Sequence, residues 1–493
     1  MVVNIKTADF VRKVNFPKAR NVDESTFWKK VASYIRKLKT APNFIDVECK
    51  IDGKVYNAHL TIVKRGVVKT KDGERPSFHV TSAESNIPLL PASYNEVELR
   101  CINSLGNNYK KYYIAQEGDA LLCRYGSIDI KKENCRTVRY DKKWLFWPLY
   151  FEKLSKGYKD VTDVTAAGNA SAPPPSKKDK KLAITLTDSQ KLYEELLSYT
   201  KGYVRANLVN EFVTKDTVEK CKELLEDLRK KRSVKTFNKC LEELMLLCPR
   251  KRDPLAGDKV EQFLAKDKDD FSKIIDRESD LIDAMDVVAV ATSSTSTNSF
   301  KDFGVHVWKA TPEQEQEVLA LLCPSVKRRV DTIYRVKPTA RERRMARYIK
   351  ENHVDKIIKV FHGTANPNVL SIMKEGVRVM KNAANGRMMG NKAYFAPDAG
   401  KSLNYTSLRG STWAHGTSDV GFMFVHALAY GKVLVQDTQI SVVSDDYLER
   451  NHYDCVHAKA GARVNAFYRL KADEIVPRDI AGVCENYLIK LKA

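Results

Sequence analysis

Residues 163–181, DVTAAGNASAPPPSKKDKK, are rich in alanine, proline, serine and lysine and contain no apolar run. A segment of this composition cannot bury itself and reads as a linker. It forbids one core shared by the whole chain of 493 residues, a length that in any case suits about three or four domains. A second polar stretch, SSTSTNS, precedes Phe300. The chain therefore reads as a multidomain α+β protein: 1–95, an α+β region of unknown role; 96–162, a small sheet with a helix; 163–181, linker; 182–297, all helical; and 298–493, mixed α/β.

Apolar residues make up 43% and charged residues 30% of the chain, the balance of a globular protein and too apolar for a mainly disordered one. No apolar run is long enough to cross a bilayer, and the start MVVNIKTADFVRKVNF lacks a secretory block. An intracellular protein with no membrane partner is expected, nuclear in a eukaryotic host and otherwise cytoplasmic. The ten cysteines form no C-x-x-C pair, so their spacing supports neither a metal site nor a disulfide framework. The formal charge of +22 favours a polyanion, nucleic acid first, with a merely solvated basic surface as the bland alternative.

Periodicity places the elements. DESTFWKKVASYIRKLK is amphipathic, and FIDVECKI and YNAHLTIV alternate, as a helix on an antiparallel sheet would. From LTDSQKLYEELLSYT to DAMDVVAVAT apolar residues recur at three and four, as Leu192 and Leu196 do. After residue 300, strand-like runs return. In KVFHGTANPNVLSIMKEGVRV a strand ends at His-Gly and a helix starts beyond Pro367, so polar atoms at the strand end are available to a ligand. By itself, His362 would more often be an ordinary satisfied side chain.

FHGT at 361–364, GVRV at 376–379, AYFAPDAGKSLNYTS at 393–407 and DEIVPRDIAGVCENYLIKLKA at 473–493 stand in an order that resembles the catalytic domain of the poly(ADP-ribose) polymerases, the diphtheria-toxin-like ADP-ribosyltransferases. The resemblance implies NAD+ as substrate, no metal, and a His362, Tyr394, Glu474 triad. It implies that Gly363 pairs through its backbone with the nicotinamide carboxamide, that Ser402 adds a hydrogen bond, and that Tyr394 and Tyr405 stack on the pyridinium ring. It places Thr364 along the dinucleotide, His362 on the adenosine ribose, Asn368 and Arg378 along the adenosine side, and Lys401 and Met388 towards the acceptor. Glu474 would polarise ribose hydroxyls and stabilise the positive charge of the breaking glycosidic bond. Where many relatives read Gly-Lys-Gly-Ile-Tyr-Phe this chain reads GNKAYF at 390–395, and the loop MKNAANGRMMGN that would cover the donor is slightly short.

GNNYKKYYIAQ, RYGSIDI and FEKLSKGYKDVT resemble the WGR domain of the DNA-dependent members. Tyr125, Gly126 and Ser127 stand where the signature has Trp-Gly-Arg, and Arg124, Lys131, Lys132, Arg136 and Arg139 are the candidate phosphate contacts. Residues 182–297 fall where that family keeps its autoinhibitory helices. The implied whole is a DNA-stimulated transferase that builds poly(ADP-ribose) on itself and other proteins at DNA strand breaks, with an accessory protein able to complete its acceptor site. The alternatives are a mono-ADP-ribosyltransferase acting on protein or nucleic acid ends, and a catalytically weak DNA-end scaffold.

Overall fold

The computed structural model describes residues 2–6, 11–15, 43–51, 54–70, 73–85, 96–118, 120–141, 146–162, 186–209, 213–253, 260–293, 299–379, 388–390 and 392–493. The expected N-terminal amphipathic helix, the linker 163–181 and most of the loop 380–391 lie outside these residues. No helix among the described residues is long and apolar enough to cross a membrane. The chain forms two compact units, residues 1–170 with 238–264 and residues 171–237 with 265–493. The helices expected as one domain over 182–297 are thus shared between the two.

In the first unit, Val2–Lys6, Val11–Asn15, Phe44–Ile51, Lys54–Thr70 and Gly73–Ser85 form one five-stranded sheet. A second joins Lys159–Asp160, Glu96–Asn103, Asn108–Glu117, Ala120–Ser127 and Arg136–Tyr140, with the helix Phe146–Ser155 in the same unit. Residues 238–264 belong here because their polar groups are consumed by this second sheet. Buried Arg100 donates to the carbonyls of Leu246 and Leu247, satisfying orphan acceptors at a helix C-terminus. Glu242 accepts from Ser104, and the Arg252 guanidinium bonds Asp129 and Ser127 while lying 5.1 Å from the Tyr109 ring centre. Arg252 thus brings a guanidinium to Ser127.

The second unit is built on a five-stranded sheet ordered Val305–Lys309, Val330–Pro338, Val483–Lys492, Val420–Tyr430, Lys356–Thr364. VGFMFVHALAY is apolar almost throughout because its strand lies inside the sheet and is covered on both faces. One face packs Phe422, Phe424 and Leu488 against Leu192, Leu196 and Val369; the other packs Met423, Val425 and Ile489 against Val318 and Val326. The helix Asp188–Asn207 starts at a Thr187–Gln190 capping box and buries Leu192, Leu196, Thr200 and Val204 at helical spacing. A three-stranded sheet, Val433–Gln436, Cys455–Ala458, Glu474–Pro477, completes the unit.

Behind the large sheet a buried ion pair ties three elements together. Arg341, on the helix Thr339–Glu351, donates to Glu485 at 2.7 Å and to the carbonyls of Met373 and Lys374, which end the helix Val369–Glu375. Truncating one partner leaves an uncompensated buried charge, so Glu485→Ala is expected to destabilise this unit by about 3–5 kcal/mol. Urea titration should show the lowered midpoint, with Glu485→Gln intermediate.

Candidate functional site

The site lies where the edges of the two sheets of the second unit meet. Residues 394–396 bond to both edges: Phe361 and Ala396 exchange backbone hydrogen bonds of 2.7 and 3.0 Å, and Phe395 and Ile475 exchange bonds of 2.9 and 2.8 Å. One edge strand ends at His362, Gly363 and Thr364; the other begins at Glu474. Between them is a cavity of about 310 Å³. Its walls carry His362, Gly363, Thr364, Asn368, Arg378 and Tyr394, joined by Lys401, Ser402, Tyr405 and Glu474. Met388 is near but does not line it, standing half-buried in the turn before Gly390.

Gly363 is dictated by a close approach. A Cβ there would lie 1.9 Å from the Ser402 carbonyl oxygen, because the short helix Ala399–Leu403 rests directly on the strand end. That approach buries Ser402 and sets Tyr405 at the rim, 40% exposed. Tyr394 is fixed from the other side: its hydroxyl donates to the Gly390 carbonyl and accepts from the Met389 amide, each at 2.9 Å. The altered turn GNKAYF is accommodated by Gly390 at φ 97°, a conformation that favours glycine.

His362 donates through Nδ1 to the Tyr394 carbonyl at 3.1 Å, a bond that assigns the proton to Nδ1 and leaves Nε2 as an acceptor. Burial holds its pKa below the ordinary histidine value, partly offset by that hydrogen bond, so the ring is neutral. A neutral acceptor suits a sugar hydroxyl. His426, 0% exposed, stands behind it with ring centres 6.1 Å apart and planes at 86°; burial, then His362 and Arg341, push its pKa well down. The sequence hides His426 within an apolar strand.

Glu474 is 5% exposed. Oε1 takes an ion pair from Lys401 Nζ at 2.5 Å, and buried Oε2 has no hydrogen-bond partner among the described residues. Burial raises the carboxyl pKa and Lys401 draws it back; burial likewise lowers Lys401, which Glu474 opposes. One oxygen is anchored by Lys401 and the other is unsatisfied, a lack that a substrate hydroxyl would fill. Next to it, Asp473 accepts from His457, Lys459 and the Ala460 amide at 2.8, 3.0 and 2.8 Å, contacts that hold its pKa at about 2 against the opposing effect of burial.

The periodic pattern of 270–293 did not reveal that this helix also walls the cavity. Asp280, Asp283 and Asp286 repeat every three residues along Asp270–Ser293 and so share one face. Asp280 lines the cavity together with Asn368, Asp283 pairs with Arg378, and Asp286 pairs with Lys374 at 2.6 Å and Lys222 at 2.9 Å. Burial, then the charges of Asp283 and Asp276, push Asp280 up to about 7. Arg378, implied for the adenosine side, is therefore engaged by a helix carboxylate.

The other candidate contacts lie in the first unit. Tyr125 stacks on Tyr112 at 5.6 Å, and Gly126 faces Cys135. Arg124 and Lys132 pair with Glu96, and Arg139 with Glu117 and Asp141. Lys131 and Arg136 are exposed.

Residues 315–485 match the family described as the poly(ADP-ribose) polymerase catalytic domain. That segment holds the whole cavity wall except the helix carboxylates, and it makes the chain an NAD+ ADP-ribosyltransferase. No curated protein matches the chain.

Ionised Glu474 is the form that accepts a hydroxyl, so NAD+ cleavage should fall on acidification at a pH above the ordinary carboxylate range. Lys401→Met removes the charge that lowers this pKa, and the acid limb of the pH–rate profile should move further up. An unmoved limb would separate Glu474 from the titration.

Proposed function

We propose that the chain is a DNA-stimulated poly(ADP-ribose) polymerase that modifies itself and other proteins at DNA breaks, with the helix Asp270–Ser293 as its gate. The observation that carries the gate is the pairing of Arg378 with Asp283, with Asp280 on the same helix lining the cavity. A dinucleotide that uses Arg378 must displace Asp283, so withdrawal of the helix and binding of NAD+ are linked. The basic composition, the WGR-like signature around Tyr125 and the exposed Lys131 and Arg136 support DNA as the activator, with residence in the nucleus of a eukaryotic host.

In the reaction, Tyr394 and Tyr405 flank the nicotinamide ring while Gly363 and Ser402 hold its amide. The free oxygen of Glu474 accepts a hydrogen bond from the nicotinamide ribose, and its charge stabilises the cation that develops as the glycosidic bond breaks. Nicotinamide leaves with the bonding pair. The acceptor hydroxyl, polarised by the same carboxylate, then attacks the sugar. Lys401 keeps Glu474 ionised and aimed.

Labelled NAD+ incorporation, with and without nicked DNA, tests the reading. Long, DNA-dependent products that shorten in Glu474→Gln are expected; activity indifferent to DNA would remove the break-sensing part. Asp283→Asn should raise DNA-independent activity roughly fivefold or more.

The gate also titrates. With the helix docked, Asp280 is raised to about 7. Its contribution to docking is fully present below the ordinary carboxylate value and is lost as pH rises through about 7. Basal activity should therefore climb between about pH 4 and 7. Asp280→Asn, neutral throughout, should flatten that climb, and a profile identical to the parent would rule out Asp280.

A further inference from the structure

The loop joining Cys455–Ala458 to Glu474–Pro477 folds back as a hairpin: the Leu470 amide donates to the Ala462 carbonyl at 2.9 Å, and the Val464 amide to the Tyr468 carbonyl at 2.9 Å. Arg463 pairs with Arg469 across this hairpin, and with Gln439 on its other side. Ala462 and Leu470 point into a core with Ile440, Val456 and Val476. By alternation, Arg463, Arg469 and Gln439 emerge together on the opposite face, where all three are exposed. Phe467, at the tip, is 100% exposed.

Like charges directly opposite on a hairpin repel, and no ion pair among the described residues relieves them. Among the described residues no carboxylate pairs with either arginine; Arg469 donates only to the Gly461 carbonyl. The one acid of residues 459–473, Asp473, is consumed by His457, Lys459 and the Ala460 amide. What resolves both features at once is a ligand with phosphates for the arginines and flat rings for the phenylalanine.

We propose that this hairpin binds single-stranded nucleic acid, adjacent phosphates lying on Arg463 and Arg469 and a base stacking on Phe467. An acidic protein surface would answer the arginines and leave Phe467 bare. The two ends of the loop are tied together by Asp473, next to Glu474, so a strand held here lies at the acceptor side of the cleft. That placement gains catalytic meaning from the transferase reading; the binding itself does not need it.

Fluorescence anisotropy of the full chain with a labelled twelve-nucleotide single strand, without NAD+ and across a salt series, tests the proposal. Arg463→Ala/Arg469→Ala should weaken binding about fivefold or more and reduce the salt slope by about 1.4, two phosphates at roughly 0.7 each. Phe467→Ala should weaken binding by about fivefold or more with the slope unchanged. Arg463→Lys/Arg469→Lys should retain the slope. Each variant should still hydrolyse NAD+ at the parental rate, which shows an intact cleft. Unchanged affinity and slope in both alanine variants would overturn the proposal, as would losses confined to a purified ADP-ribose polymer, which would assign the hairpin to the product chain. A parent chain that failed to turn over NAD+ would sink the transferase reading and leave the binding result standing.

Discussion

Four backbone hydrogen bonds at residues 395–396 join the two sheets of the second unit, and the site exists because of them. Phe361 pairs with Ala396 on one side and Phe395 with Ile475 on the other, so His362 and Glu474, 112 positions apart in sequence, are brought to facing edges. Tyr394, immediately before this stitch, is carried into the cleft. The Ser402 carbonyl packed against Gly363 closes the same region from above and leaves no room for any side chain at 363.

Electrostatics divides the carboxylates around the cavity into two kinds. Glu474 is buried with one cationic partner and one unsatisfied oxygen, so its charge is kept for a ligand. Asp280 and Asp283 are raised by burial, and Asp283 spends its charge on Arg378. Asp286, between two lysines, is held below the ordinary carboxylate range. A helix held by such contacts packs more weakly as pH rises, because the raised Asp280 then ionises.

The cluster around Asp473 links chemistry to recognition. Three donors fix that carboxylate and thereby the start of the strand that carries Glu474. Because Asp473 is fully engaged, the neighbouring hairpin keeps its arginines uncompensated. The position of Glu474 and the positive charge of the hairpin thus share one neighbouring residue.

The sequence by itself determined the local chemistry: an apolar run that had to be an interior strand, helices with their periodic buried faces, and the motif residues 361–364, 376–379, 393–407 and 473–493 that name the enzyme class. Motif spacing carries this much because strand ends and turns are set by neighbours in the chain. Tertiary structure alone decided that residues 238–264 serve the first unit, since the polar groups of that stretch find their partners at Ser104, Asn107 and Asp129. It alone decided that Asp280 and Asp283 face Asn368 and Arg378, because helical periodicity says which residues share a face and not what that face meets. It also decided that His426 backs His362 and that Arg463 opposes Arg469, pairings fixed by sheet register, a long-range property that no local pattern encodes.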